Sequence, residues 1–228
     1  STKGTSLYIR PFRIATDPFL GVRPSNTYKF FIILCPVGSY YPEGLNPVKI
    51  YVEDKYSRVA KGGTGEAKVA GNYAASLLSG EKAKAKGYSQ VLWLDAGDHT
   101  FVEEVGAMNM FFKIDGKTIT APLDGSILPG ITRDSVIKLA KHMGYTVEER
   151  RISIEEVFEA HEKETLEEMF GTGTAAVVSP VGILSWKDNT IDLGLDKIGK
   201  FTSMMYDTLT GIQYGNHEDI FGWVKKID

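Results

Sequence analysis

The chain has 228 residues and is 43% hydrophobic, which is enough to bury a sizeable core. Its net charge of −3 gives no reason to expect a nucleic-acid partner or an acidic membrane surface. No apolar run approaches the roughly 20 residues of a membrane-spanning helix, and the single cysteine, Cys35, excludes an internal disulfide framework. We therefore expect a globular, cytoplasmic protein that acts on small molecules.

The first elements along the chain are β-rich. The apolar runs KFFIILCPV and SQVLWLDA are each closed by turn residues and are predicted to be buried strands. Farther on, Asp115 and Gly116 lie between two β-prone runs, a pattern that predicts a tight hairpin.

Helical patterns follow in the second half. The spacing of TRDSVIKLAKHMG predicts a helix with Thr132 as its N-cap, and Ser153 and Glu156 open a second helix in capping-box spacing. A strand is expected between these helices, followed by a turn-rich β segment and a last helix over KIGKFTSMMYDTLTGIQYG. The pattern predicts one mixed α and β domain over residues 1–228, without an internal boundary.

The stretch GGTGEAKVAGNY places Lys68 at the end of a glycine-rich turn, directly before a predicted helix. A P-loop would need glycine before and Ser or Thr after this lysine, where the chain has Ala67 and Val69. A dinucleotide fingerprint would need glycine at the position of Lys68 itself. Two interpretations remain: an exposed loop lysine, or an amine that the turn takes out of water and makes nucleophilic.

Other local signals bear on this choice. Strand alternation sends Glu103 and Glu104 to opposite faces, so one carboxylate should point inward, toward either a structural ion pair or a ligand nitrogen. The turns LPGITRDS and FGTGTAA could bind phosphate through N–H groups, although most such turns only reverse the chain. We expect no metal site, because the histidines are scattered without ligand spacing: His99, His142, His161 and His217.

Eight separated motifs occur in an order that resembles one family. These are LYIRP, ILCPVGSYY, GGTGEAKVAGNYA, QVLWLD, VEEVGAMNMFF, PLDGSILPGITR, MFGTGTAAVVSPV and IQYG. Together they resemble the branched-chain amino acid aminotransferases, class IV of the pyridoxal phosphate enzymes, over essentially the whole chain. The resemblance implies an α+β fold with a mixed β pseudo-barrel and surrounding helices, the large domain of the D-amino acid aminotransferase-like fold. The family's N-terminal small domain is expected to be absent from residues 1–228.

The resemblance also implies a role for each motif. Lys68 corresponds to the catalytic lysine that binds the cofactor as a Schiff base, Glu104 to the acid at the pyridine nitrogen, and Tyr73 to the partner of the ring's phenolic oxygen. The implied phosphate contacts are Arg58, Ile131, Thr132, Gly173 and Thr174. The implied substrate-side residues are Tyr8, Arg10, Ala107, where many relatives have threonine, and Ala175.

The implied activity is transamination of leucine, isoleucine and valine with 2-oxoglutarate, giving branched-chain 2-oxo acids and glutamate. Pyridoxal 5'-phosphate is the implied cofactor and a homodimer the implied assembly. Three alternatives stay open: a D-amino acid aminotransferase, an aminodeoxychorismate lyase, or a catalytically silent fragment that only binds the cofactor.

Overall fold

The computed structural model describes residues 5–38 and 45–227. These residues form two compact units, divided after residue 44. The expectation of a single domain over 1–228 stays a prediction. No helix in either described range is long and apolar enough to cross a membrane.

The first unit contains a β-hairpin of two ten-residue strands, β1 (Ser6–Ala15) and β2 (Tyr28–Val37). The strands pair antiparallel along their whole length. The predicted strand over KFFIILCPV is thus confirmed, but its expected burial is wrong, since Phe30 is 64% and Leu34 55% exposed. The last three residues of the motif ILCPVGSYY, 39–41, lie outside the described residues.

The second unit is built on a closed barrel of six strands. Each strand pairs with the next, and the last pairs with the first. Around the ring they are β3 (Val48–Glu53), β4 (Gln90–Leu94), β5 (Val102–Val105), β6 (Met108–Ile114), β9 (Leu166–Gly173) and β10 (Val177–Trp186). The pairs that β3 makes with β4 and β10 are parallel and the others antiparallel, so the predicted mixed barrel is confirmed.

Further strands and four helices surround this barrel. The strands β7 (Lys117–Thr120) and β8 (Val147–Glu149) extend the sheet beyond β6, and β11 (Asn189–Asp192) extends it beyond β10. The helices are α1 (Ala70–Ala85), α2 (Ile131–His142), α3 (Ile154–Glu162) and α4 (Lys200–Gln213). Every helix and strand predicted after residue 88 has a counterpart here.

Strand alternation on β6 separates two of the hydrophobic clusters that form the core. Met110 and Phe112 belong to one cluster with the apolar residues of β3, β4 and α3. Phe111, between them, points to the opposite face and packs with α2 and α4. Phe111 also stacks on Phe170 at a centroid distance of 5.1 Å. One strand therefore fixes both the barrel interior and the layer of helices outside it.

Two local predictions are confirmed in detail. Asp115 and Gly116 form the two-residue turn between β6 and β7, with φ angles of 49° and 73°, as a primed hairpin turn requires. Ser153 is the N-cap of α3, and its hydroxyl accepts a hydrogen bond from the Glu156 amide at 3.0 Å.

Candidate active site

A buried asparagine fixes the glycine-rich turn that carries Lys68. The turn leads directly into α1, and Asn72, in the first turn of that helix, is 5% exposed. The Asn72 amide nitrogen donates to the carbonyl oxygens of Thr64 and Ala67 at 2.7 and 2.9 Å. Its amide oxygen accepts from the Thr64 hydroxyl at 2.7 Å. The backbone that leads to Lys68 is therefore held by side-chain hydrogen bonds where no regular structure can hold it.

Gly65 lets this turn approach the loop before α2 more closely than another residue could. Gly65 is buried, and a Cβ atom built on it would lie 2.1 Å from the carbonyl oxygen of Ser126. Gly130, at the end of the same loop, is equally restricted, because its Cβ would lie 2.1 Å from Asn109 Oδ1. Gly65 thus lets two backbone segments meet, and Gly130 leaves room for the Asn109 side chain.

Lys68 lies beside Tyr73 at a pocket. The Lys68 Nζ atom donates a hydrogen bond to the Tyr73 hydroxyl at 3.2 Å, and both side chains are exposed. The pocket is lined by Arg58, Gly65, Ala67, Lys68, Asn72, Tyr73, Ser76, Glu104, Gly106, Ala107 and Leu128. The exposed-lysine interpretation is right about exposure, but the lysine also borders a pocket that contains a buried acid. The amine is therefore accessible to a ligand there.

That acid is Glu104, on β5. Its carboxylate pairs with the Arg58 guanidinium at 2.7 Å, and the two side chains are 3% and 8% exposed. The second carboxylate oxygen accepts from the Leu128 amide at 3.1 Å and from the Asn109 side chain at 3.3 Å. Burial raises the pKa of Glu104 to about 7, although Arg58 and the Leu128 amide favour the ionised form. A carboxyl group in this state can hold or release a proton near neutral pH.

Arg58 has hydrogen-bonding capacity left over. One terminal nitrogen contacts both Glu104 and the Ser126 carbonyl oxygen, the latter at 3.0 Å. Within the described residues, the Arg58 Nε atom is buried without a hydrogen-bond partner. A buried donor in this condition is costly unless a ligand satisfies it. The arginine can therefore keep its contact with Glu104 and still donate to an anion.

The first residues of α2 differ from the prediction. The N-cap is Gly130, which has no side chain to cap the helix, so the prediction of Thr132 as N-cap is wrong. The physical reason is that the Gly130 carbonyl oxygen already accepts the first helical hydrogen bond, from the Asp134 amide at 3.0 Å, so Thr132 lies inside the first turn. The helix begins at Ile131, which is 79% exposed, and the N–H groups of its first turn have no acceptor within the helix. Such a terminus attracts anions.

The turn Gly173, Thr174 and Ala175 connects β9 to β10 and does not belong to the pocket lining given above. Strand pairing nevertheless relates it to the acid: Glu104 is opposite Asn109, and Asn109 is opposite Thr172. Glu104, Asn109 and Thr172 therefore lie side by side on three neighbouring strands, and the turn begins at Gly173, the residue after Thr172.

The predicted substrate-side residues lie in different places. Ala107 lines the pocket. Tyr8 and Arg10 lie on β1 of the first unit, where an Arg10 guanidinium nitrogen donates to the Tyr8 hydroxyl at 3.1 Å. Their assignment to the substrate side stays a prediction, as does that of Ala175.

The family model described as amino-transferase class IV matches residues 3–183. The chain belongs to the class IV aminotransferases. The matched range includes the glycine-rich turn, β5 and the start of α2, which are the segments that provide Lys68, Glu104 and the exposed helix terminus.

Curated relatives of this class IV aminotransferase have more specific names. Branched-chain-amino-acid aminotransferase 2 of Bacillus subtilis (strain 168) is 58% identical over 227 residues, which are 100% of this chain and 62% of that protein. A probable branched-chain-amino-acid aminotransferase of Staphylococcus epidermidis is 58% identical over 97% of this chain and 62% of its own length. The chain thus spans about 62% of the length of these relatives.

Solved structures of this class are also similar. The branched-chain amino acid aminotransferase of Escherichia coli matches with a TM-score of 0.81 and 33% identity, covering 97% of this chain and 70% of that one. The branched-chain aminotransferase of the thermophilic archaeon Thermoproteus uzoniensis, solved with norvaline, matches with a TM-score of 0.79 and 28% identity, covering 96% of this chain and 68% of that one. A further branched-chain amino acid aminotransferase, solved with pyridoxamine 5'-phosphate, matches with a TM-score of 0.83 and 29% identity, covering 97% of this chain and 70% of that one.

Sequence reasoning missed two residues that shape the pocket. Asn72 stands in the quoted glycine-rich stretch, where a buried amide in the first turn of a helix could have been suspected of reaching back to the preceding loop. Ser126 gave no such signal, because its carbonyl meets Arg58 and Gly65 only through the closure of the barrel.

Proposed function

We propose that this protein catalyses pyridoxal phosphate-dependent transamination of leucine, isoleucine and valine with 2-oxoglutarate, producing branched-chain 2-oxo acids and glutamate. The observation that carries the proposal is a pocket lined at once by the Lys68 amine, the Tyr73 hydroxyl and the buried pair of Glu104 and Arg58. The names of the relatives that are 58% identical support the branched-chain preference.

The described residues fit this cofactor. An aldehyde needs an accessible amine, a pyridine nitrogen needs a buried proton-sharing acid, and a phosphate needs unsatisfied N–H donors. Lys68 offers the exposed amine, and Glu104 is the acid whose pKa burial raises to about 7. The partnerless Arg58 Nε atom and the exposed start of α2 supply donors of the third kind.

When bound, pyridoxal phosphate supplies an electron-withdrawing ring that accepts the electron pair left on the substrate's α carbon. Lys68 would hold the cofactor covalently until the substrate amine takes its place, and its freed Nζ atom would then carry the α proton. The Tyr73 hydroxyl, 3.2 Å from that atom, would orient the amine and the ring's phenolic oxygen. Glu104, when ionised, would accept a hydrogen bond from the ring nitrogen and keep that nitrogen protonated, and the Arg58 charge and the Leu128 amide favour this ionised form.

The remaining assignments concern the ends of the site. Phosphate would be held by Arg58, Ile131, Thr132, Gly173 and Thr174. The substrate side would comprise Tyr8, Arg10, Ala107 and Ala175, and we propose that the working unit is a homodimer. The start of α2 supports the phosphate assignment because its amides and dipole favour negative charge.

Borohydride reduction tests the cofactor assignment. The protein is incubated with pyridoxal phosphate, reduced, digested and mapped for the modified lysine. We expect the label on Lys68, and Lys68→Ala should abolish it. Lys61→Ala is the matched control, because Lys61 is exposed on the same loop and pairs with Asp124. Label on another lysine would contradict the assignment.

A panel of amino donors tests the substrate assignment. Leucine, isoleucine and valine are each supplied with 2-oxoglutarate, and glutamate formation is measured. Glutamate formed from D-alanine instead would favour a D-amino acid aminotransferase, and pyruvate released from aminodeoxychorismate would favour the lyase. Label on Lys68 without turnover of any donor would favour a silent cofactor-binding fragment.

A further inference from the structure

The carboxylate next to Glu104 is also buried, but it does not line the pocket. Glu103 is 8% exposed, and one carboxylate oxygen accepts a hydrogen bond from the Ser126 hydroxyl. The other oxygen is buried and without a partner in the part of the chain that the structure describes. Burial raises the pKa of Glu103, while the Ser126 hydrogen bond and the Arg58 charge oppose the change. A residue buried at this cost needs a reason to be there.

The contacts of Ser126 supply that reason. Its hydroxyl is held by Glu103, and its carbonyl oxygen accepts from the Arg58 guanidinium at 3.0 Å. The same carbonyl lies so close to Gly65 that a Cβ atom there would be 2.1 Å away. Ser126 is 2% exposed, so it can move little within this packing. The position of Arg58 beside Glu104 thus depends on Ser126, and that of Ser126 on Glu103.

We propose that Glu103 is a positioning residue that acts through Ser126 to fix the Arg58 guanidinium and thereby sets how strongly the pocket holds a phosphate group. Glu103 does not touch the ligand. It determines where the free donor of Arg58 points, and a donor displaced from its direction loses most of its hydrogen-bond energy. The proposal rests on the proposed function, since the phosphate in question belongs to the cofactor.

Two ligands that differ only in the phosphate make the test. Affinities for pyridoxal phosphate and pyridoxal are measured on the wild type and on Glu103→Leu, which removes the acceptor at similar size. Loss of one well-placed hydrogen bond to a charged ligand should weaken pyridoxal phosphate binding by about tenfold and leave pyridoxal binding unchanged. Glu103→Gln keeps an acceptor for the Ser126 hydroxyl and should restore binding to within about threefold of the wild type. An equal loss for both ligands would overturn the proposal.

Ser126→Ala breaks the same contact from the other side, because it removes the hydroxyl that Glu103 binds and keeps the carbonyl that Arg58 binds. It should reproduce the effect of Glu103→Leu, and the double variant should add little, since both changes break one contact chain. Full additivity would contradict the linkage.

A readout without cofactor separates this proposal from the proposed function. The Arg58 Nε–H signal is assigned by its absence in Arg58→Lys and followed by NMR in the ligand-free protein. The chemical shift of this signal should change in Glu103→Leu and should match the wild-type value again in Glu103→Gln. An unchanged Arg58 signal would overturn the positioning role even if pyridoxal phosphate binds. If the wild type binds neither ligand, the proposed function fails, and the signal still decides whether Glu103 positions Arg58.

Discussion

Replacing Glu104 with glutamine should remove a pH-dependent loss of stability from the cofactor-free protein. Burial raises the pKa of this carboxyl group from its ordinary value of 4.5 to about 7. The folded protein therefore binds the proton more tightly than the unfolded chain. Its contribution to stability is fully present below pH 4.5 and is lost as the pH rises through about 7. Glutamine does not titrate, so the variant should lack this decline.

The structure gives the size of the effect. One pKa unit corresponds to about 1.4 kcal/mol, so the shift from 4.5 to about 7 amounts to about 3 kcal/mol in the free energy of unfolding. The substitution also leaves the Arg58 guanidinium, 8% exposed, without its ionic partner. In the variant Arg58 stays charged throughout this range, so its burial adds no pH dependence of its own. In the wild type the attraction of Arg58 for the ionised carboxylate is already contained in the Glu104 pKa of about 7. The difference in pH dependence between the two proteins therefore isolates the Glu104 titration.

Urea unfolding of both proteins from about pH 4 to about pH 8 measures this difference. Glu148→Gln is the control, because Lys117 and Arg150 lower the pKa of Glu148. Its effect on the free energy of unfolding should therefore change with pH in the opposite direction. The stabilisation from Glu148 is lost as the pH falls. If the wild type and Glu104→Gln lost stability in parallel as the pH rose, the carboxyl group would have an ordinary pKa, and the reasoning would be refuted.

Two further substitutions test the packing around the site. Gly65→Ala should lower the free energy of unfolding by about 1–3 kcal/mol, because the new Cβ atom would overlap the Ser126 carbonyl. Gly71→Ala, where nothing lies within 4 Å, should be neutral or stabilising, and equal losses for both would contradict the close contact. Phe111→Ala should cost about 3–5 kcal/mol, because Phe111 is fully buried and stacked on Phe170. A loss below about 1 kcal/mol in urea unfolding would show that this core layer is not closely packed.

The elements that the sequence predicted correctly depend on signals within a few residues. The turn at Asp115 and Gly116 follows from the two positive φ angles that only such residues adopt readily. The α3 N-cap follows from the Ser153 hydroxyl and the Glu156 amide, which are three residues apart. In both cases the interacting atoms are neighbours in the chain, so no knowledge of the fold is needed.

The predictions that were wrong depend on distant contacts. Thr132 is the better N-cap by local preference, but the helix begins after Gly130. At Gly130 a Cβ atom would lie 2.1 Å from Oδ1 of Asn109, which belongs to the distant strand β6. Apolar content predicted a buried β2, yet Leu34 is 55% exposed. A hydrophobic run indicates a strand, whereas burial depends on what packs against it.

In the candidate site, too, local sequence signals pointed to some residues, while contacts between distant segments could not be predicted. The glycine-rich turn drew attention to Lys68, and strand alternation to the pair of Glu103 and Glu104, but only the family resemblance chose Glu104 and gave the lysine its role. The ion pair of Glu104 with Arg58 could not be predicted, because it joins β5 to the segment after β3. Alternation predicted that Glu103 and Glu104 point to opposite faces of the strand, but it did not predict that both would be buried.

The exposure of Lys68 has a physical explanation in the turn that carries it. The covalent role that we propose for Lys68 requires a well-placed amine, and burial is one way to place it, at the cost of removing a charge from water. Here the backbone does the placing: Asn72 binds the carbonyl oxygens of Thr64 and Ala67, and Tyr73 receives the Nζ atom. The amine thus keeps its hydration until a ligand covers it. Gly65 is needed because a Cβ atom there would overlap the Ser126 carbonyl of the neighbouring loop.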